Sequence, residues 1–338
     1  MRAVLLALLV LATPAAADCA KPDIRPDMAP ATRALEASLP KHEMETDVSP
    51  KERAAIAAMK SKLRAYVAAT MACDAMPLDK ALKSGAPKID FAVKHIAPDL
   101  VAVTATLGIQ CGQDTMLSLF RQGREVLHAQ SAPYKTIVGA WDMFDYAVAP
   151  PNKTGQWFAV TKTVAPWCSS TWSEVRYAAW RPDRAAPIFS AEDPIWWGGD
   201  DLGRMTVGAG DFTLRFHAQS IDDGRHNREW VRHFTVSGDK VVRTAPFANS
   251  ARDFVEEWIQ SDWKIAAPWT ASTLGADVRA VHAKFHDKPY GEFGKVARCG
   301  NDMTEFQVTP SGADGSLFFQ VAGSRDFKLV GLSNTPRC

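Results

Sequence analysis

Residues 101–111 read VAVTATLGIQC and residues 158–168 read FAVTKTVAPWC. At an offset of 57 they share Ala, Val, Thr, Thr and Cys at five of eleven positions. The correspondence continues upstream, where Asp90-Phe91-Ala92-Val93 faces Asp145-Tyr146-Ala147-Val148 at an offset of 55. Downstream, Phe120-Arg121 faces Trp180-Arg181 at an offset of 60, and Val126-Leu127-His128-Ala129 faces Ile188-Phe189-Ser190-Ala191. Small drifting offsets are what loop insertions between equivalent strands produce. The second copy resolves into four short segments with strand character, at 143–149, 156–163, 173–180 and 186–191. Pro150-Pro151-Asn152 and Arg181-Pro182-Asp183 punctuate them, and such clusters mark turns. A weaker third copy runs through 204–207, 212–218, 228–236 and 240–245, with Gly238-Asp239 at its last turn. Residues 278–336 show the same strand density without the motif.

A unit of four strands recurring every 55–60 residues implies a mainly β fold of repeated four-stranded antiparallel units, propeller-like or as a stacked β-sandwich. The Gly-His…Trp-Asp pairing of WD40 units is missing. Two helices are expected outside the repeats. Ser49-Pro50-Lys51-Glu52 has the form of a capping box with proline at the first helical position. Ile56, Met59, Leu63, Tyr66, Val67 and Thr70 then fall on one face of a helix over 50–72. Its other face carries Lys60, Lys62 and Arg64, which read as a solvated surface. A later helix should start at Ser250, with Asp253 three residues on and Phe254, Val255, Trp258 and Ile259 facing inward, bridging the third and last units. The expected organisation is a leader at 1–17, a helical N-terminal segment at 18–86, repeated β-units at 87–248, and a helix plus C-terminal β-unit at 249–338 continuous with them.

Arg2, the apolar run Ala3 to Ala12 and the small residues Ala15-Ala16-Ala17 compose a secretory signal peptide cut near Ala17. Export to the periplasm or medium is therefore expected. No later stretch is apolar for long enough to span a bilayer as a helix. The 338 residues carry 39 Lys+Arg against 38 Asp+Glu. Removing the leader with its single Arg2 leaves 38 against 38, so bulk charge does not recruit nucleic acid or an anionic membrane. The expected partners are a neutral small ligand, a glycan or an envelope protein. Six cysteines, Cys19, Cys73, Cys111, Cys168, Cys299 and Cys338, contain no C-x-x-C pair. In an oxidising compartment an even count reads as three disulfides, here Cys19–Cys73, Cys111–Cys168 and Cys299–Cys338.

Familiar catalytic signatures are missing: no G-x-S-x-G elbow, phosphate-binding loop or H-E-x-x-H. Lys153-Thr154-Gly155 and Ser38-Leu39-Pro40-Lys41 imitate two motifs of penicillin-binding enzymes, but no asparagine precedes Asn152 to form the middle motif. All 11 tryptophans fall between Trp141 and Trp269. Trp157, Trp180 and Trp230 are expected in strands as core. Trp196-Trp197-Gly198-Gly199-Asp200-Asp201 follows the turn signal Asp193-Pro194 and is glycine-rich. Its exposed indoles with Asp200 and Asp201 are the candidate ligand-binding residues, since indoles stack on sugar rings and carboxylates accept hydroxyls. The alternative is a divalent metal ion held by His217, Asp222, Asp223 and His226, which would make a cell-envelope hydrolase. His282 and His286 have helical chelating spacing in a segment whose alternation looks strand-like. On balance the chain reads as a non-catalytic binding or scaffold module needing no cofactor.

Overall fold

The fold is that of a computed structural model, which describes residues 50–73, 82–83, 86, 88–109, 112–130, 144–166, 172–182, 184–196, 203–222, 225, 227–286, 291–312 and 314–338. Sixteen strands form four four-stranded antiparallel sheets, each a meander in chain order. The first holds β1 (Ile89–Ala97), β2 (Leu100–Ile109), β3 (Gly112–Arg121) and β4 (Arg124–Gln130). The second holds β5 (Asp145–Val148), β6 (Ala159–Pro166), β7 (Trp172–Trp180) and β8 (Phe189–Trp196). The third holds β9 (Arg204–Val207), β10 (Asp211–Gln219), β11 (Asn227–Ser237) and β12 (Lys240–Arg243). The fourth holds β13 (Gly291–Arg298), β14 (Met303–Pro310), β15 (Leu317–Ala322) and β16 (Lys328–Ser333). The repeat that opened the sequence is thus β2 against β6, the second strand of each unit. This mainly β arrangement of repeated units, without a closed barrel, is the one expected.

The first three sheets pack face to face in chain order, and strand alternation shows why. In β2, Val101, Val103, Ala105 and Leu107 enter the core beneath the N-terminal helix, while Leu100 and Ala102 enter the core shared with the second sheet. In β6 and β7, Ala159 and Trp180 face the first sheet, and Val160, Val164, Val175, Tyr177 and Ala179 face the third. A strand buried on both sides must be apolar at odd and even positions alike, as VAVTATL nearly is. Inside the second unit the Trp180 indole donates to Thr161 Oγ1 across β6–β7 at 2.9 Å, which satisfies a buried polar group. Trp157, expected in a strand, is buried just ahead of β6.

Helix α1 (Pro50–Cys73) buries the six residues read from its periodicity, Ile56 through Thr70. Its basic face is not simply solvated. Lys60 reaches Asp114 of β3 at 2.5 Å in a buried ion pair, and Arg64 holds Glu125 of β4 at 2.7 Å. Helix α2 (Ala251–Gln260) starts where its cap predicts, with Ser250 Oγ accepting from Asp253 N at 3.1 Å. It packs between the third and fourth sheets through Phe254, Val255, Trp258 and Ile259. A short α3 (Trp263–Ala266) follows, then α4 (Asp277–His286). The strand-like reading around His282 is therefore corrected: the segment is helical, burying Val278, His282 and Phe285. Asp193-Pro194, read as a turn, instead lies within β8. Pro194 lacks an N–H, and β8 is a sheet-edge strand, where that loss is tolerated.

Cys299 and Cys338 are bonded, closing a span of 39 residues. Glu305 reinforces this closure, accepting the backbone N–H of Arg337 at 3.0 Å and of Cys338 at 3.3 Å. Cys73 is also disulfide-bonded, to a partner outside the described residues, where Cys19, Cys111 and Cys168 all lie.

Candidate functional site

Strand β11 puts Arg228, Trp230, Arg232 and Phe234 on one face by its alternation, toward the second sheet. Two arginines on an inward face need counter-charges, because isolated ions are expensive to bury. Helix α2 supplies them. Within its apolar run FVEEWI, Glu256 and Glu257 are as buried as their neighbours. Glu257 Oε1 accepts from Arg232 Nη1 at 2.5 Å, Arg243 Nη2 at 3.1 Å and Ser261 Oγ at 3.1 Å. Its Oε2 accepts from Arg228 Nη2 at 3.1 Å. Glu256 Oε2 accepts from Ser220 Oγ at 2.7 Å and Ile221 N at 3.0 Å, with Arg228 Nε 3.4 Å away.

The second sheet closes the network. From β8, Asp193 takes Arg232 in a fork, Nη2 to Oδ1 at 2.8 Å and Nε to Oδ2 at 3.1 Å, and also accepts the Tyr177 hydroxyl at 2.8 Å. Three guanidiniums (Arg228, Arg232, Arg243) thus meet three carboxylates (Asp193, Glu256, Glu257). The arginines also lie over rings: Arg232 is 4.2 Å from the Trp230 centroid and Arg228 is 4.6 Å from it. Burial alone would raise the Glu257 carboxyl, but Arg232, Arg243 and Arg228 hold it well below the usual carboxylate range. Burial pulls the Arg243 guanidinium down to about 10, helped by the Arg232 charge and opposed by Glu257. The Tyr177 hydroxyl is pushed up by burial and then by Asp193, so it stays protonated and donates.

Above this floor lies a cleft of about 840 Å³ between β8, the β11–β12 pair and the α2–α3 turn, a size that suits small-molecule ligands. Tyr177, Phe189, Trp230 and Phe234 line its apolar part, and Glu192, Asp262 and Lys264 stand at its rim, well exposed. A smaller cavity of about 300 Å³ lies where Arg64, Glu125 and His128 approach Arg184. Behind it Ser118 Oγ is 2.9 Å from both Glu125 Oε1 and His128 Nδ1. Burial, then the Arg64 charge, lowers the His128 imidazole to about 4.

Of the candidate ligand and metal residues singled out in the sequence, Trp196, His217 and Asp222 lie among the described residues. Trp196 ends β8, paired with Trp172, three residues beyond Asp193. Trp197, Asp200 and Asp201 lie outside the described residues, as do Asp223 and His226. Asp222 sits in an isolated bridge to Gly291, and its carboxylate is paired with Arg252. His217 projects from β10 opposite Glu229, its Nδ1 buried without a hydrogen-bond partner. His282 and His286 share a helix, yet their nitrogens face carbonyls: His282 Nε2 lies 2.9 Å from Trp258 O and Ser261 O, and His286 Nδ1 lies 3.1 Å from Ile259 O. Among the described residues, the one group with metal-ligand spacing is Cys299, Glu305 and Cys338, whose sulfurs form the disulfide. The sequence reading missed Arg232, Arg243, Asp193, Tyr177 and Glu257. Two signals marked them: arginines alternating with aromatics along β11, and a Glu pair inside the apolar run of α2.

No protein-family model matches the chain, and no curated protein is significantly similar to it. Among solved structures, it is similar to an α-L-arabinofuranosidase from Fusarium graminearum in complex with an iminosugar inhibitor, at 9% identity and a TM-score of 0.28. The match covers 73% of this chain and 66% of that enzyme, so the chain spans just under two thirds of the enzyme's length.

Proposed function

We propose that the chain is an exported, non-catalytic binding module, carried across the membrane by the leader at 1–17, and that the cleft between its second and third units is the ligand site. One observation carries this reading: a cleft of about 840 Å³ is built on a floor whose charges compensate one another. Such a floor is locked in geometry by its own hydrogen bonds, which lowers the ordering cost of binding. Its carboxylates are engaged by arginines rather than left free to exchange protons. Aromatic walls with carboxylates at the rim suit a hydroxylated ligand of glycan class. We further infer that Trp196, which ends β8, and Trp197, Asp200 and Asp201, which come next in the sequence, also serve ligand binding.

The test is isothermal titration of the oxidised, leader-free protein against a saccharide panel, repeated with Ala191→Phe, which narrows the cleft from its β8 wall. Binding should disappear in the variant while its melting temperature holds, and Trp196→Ala should weaken binding without unfolding. Saccharide binding that persists unchanged in Ala191→Phe would remove the cleft from consideration.

A further inference from the structure

We propose that the inner end of the cleft receives a carboxylate, so that its ligand is an acidic sugar of the uronate class. This rests on the reading of the cleft as the ligand site and narrows the ligand from a neutral glycan to one with an anionic end. The donors and acceptors that meet the cleft are unequally satisfied; deeper in the floor, Arg228 Nε and Nη1 are also buried without hydrogen-bond partners, but Arg228 does not line the cleft. Asp193 gives both oxygens to Arg232 and one also to Tyr177. Glu257 uses both oxygens on arginines. Arg232 has all three nitrogens engaged. Glu256 Oε1, which does not line the cleft, is buried without a hydrogen-bond partner, but the acceptors of Asp193 and Glu257 are filled.

The donors are not. Arg243 bonds to Val231 O, Phe247 O and Glu257 through Nη2, while its buried Nε has no acceptor. The Trp230 indole N–H is likewise buried with no acceptor, in a side chain 7% exposed that lines the same cleft. Guanidiniums lie over the Trp230 ring, so what this residue offers a ligand is its N–H edge rather than a stacking face. A buried donor without an acceptor is costly, and a group that brings acceptor oxygens is favoured there. The charge environment selects among such groups. Arg243 shares the Glu257 carboxylate with Arg228 and Arg232, so an anionic acceptor suits its unpartnered Nε better than a neutral one. At the rim, Glu192 and Asp262 are exposed carboxylates able to accept ring hydroxyls. The volume of about 840 Å³ exceeds what a single amino acid or an inorganic anion fills, which points to a saccharide of more than one residue.

The probes are a diuronic acid disaccharide and its uncharged methyl diester, titrated at pH 7 into the oxidised protein and into the Ala191→Phe and Arg243→Gln variants. The acid should bind about tenfold or more tightly than the diester, the worth of one charge-assisted hydrogen bond. The preference should shrink to near unity in Arg243→Gln and weaken with salt. Because the comparison of acid with diester is made on the unaltered protein, it stands even if Arg243→Gln fails to fold. Equal affinities, both lost in Ala191→Phe, would overturn the carboxylate and leave the cleft reading standing. Binding of neither probe, or binding that survives Ala191→Phe, overturns the carboxylate and counts against the cleft itself.

Discussion

Glu257→Gln is the most informative perturbation, because one carboxylate of that residue holds three guanidiniums. The amide keeps the shape of the side chain, which is 1% exposed, and removes only the charge and two of the acceptor sites. Arg232 keeps Asp193, and Arg228 keeps Glu256 at 3.4 Å, but Arg243 loses its one anionic partner within 4.0 Å among the described residues. Removing one member of a buried ion pair costs about 3–5 kcal/mol, mostly because the survivor is left uncompensated. For a chain of 338 residues, an unfolding entropy of about 2.1 cal/mol/K per residue gives about 1.4 °C per kcal/mol, a melting temperature lower by roughly 4–7 °C. The pH dependence gives a second readout. The Glu257 carboxyl is held below its ordinary value of 4.5. Its contribution is therefore complete above that pH and is lost as pH falls toward its depressed folded value. The variant should lack this acid-side loss. Thermal and urea unfolding followed by tryptophan fluorescence measures both. A cost below about 1 kcal/mol, with an unaltered acid limb, would show the network to be solvated and refute the argument.

His128 should govern a different window. Its folded value near 4 against 6.5 unfolded means that the unfolded chain binds the proton more readily, so stability falls as pH drops from about 6.5 to 4. The difference corresponds to about 3 kcal/mol; urea titrations of His128→Asn across that range should be markedly flatter than wild type, and parallel curves would sink the assignment. Lys60→Met should cost about 3–5 kcal/mol by removing one member of the buried Lys60–Asp114 pair, read as a shift in urea midpoint, while a near-neutral outcome would mean that the pair contributes little to stability. Cys299→Ser should cost about 4 kcal/mol in the chain-entropy model for a loop of this length, with calorimetry as the check. Untagged protein should hold no stoichiometric zinc, manganese or calcium by elemental analysis, since Asp222 is already paired with Arg252; one equivalent of metal would revive the histidine–aspartate site.

The β-architecture was legible because its signals are local and periodic. Alternation in FTLRFHA became β10, whose Phe212, Leu214, Phe216 and Ala218 all face inward, and the Ser250 cap set the start of α2. The failures have physical causes. DVRAVHAKFH carries two Val and only three buried positions, Val278, His282 and Phe285, so its helical face is thin. It is held by packing against Trp258 and Trp263, residues far from it in sequence. Asp193-Pro194 looked like a turn because proline there is compatible with a strand only at an edge, and edge position is a property of the assembled sheet. The concentration of tryptophans proved to reflect packing where it is described: Trp180 on Thr161, and Trp258 among Trp263, His282 and Phe319.

The cleft floor was illegible for a deeper reason. Taken singly, Arg232, Glu257 and Asp193 are charged residues, and the expectation for any one of them is a solvated surface. Burying one alone would cost more than the net stability of most domains. Only the set is tolerable, and its members lie 25 and 39 residues apart, on β11, α2 and β8. No window along the chain contains the pairing that makes each position acceptable. The same interdependence bears on function. A floor that must be neutral as a whole cannot lose one charge without distorting the rest, so it holds Tyr177, Asp193 and Arg243 in fixed relation at the base of the cleft. Of the donors left without partners, Arg243 Nε and the Trp230 indole N–H belong to residues that line the cleft, which is where the proposed acidic ligand would meet them.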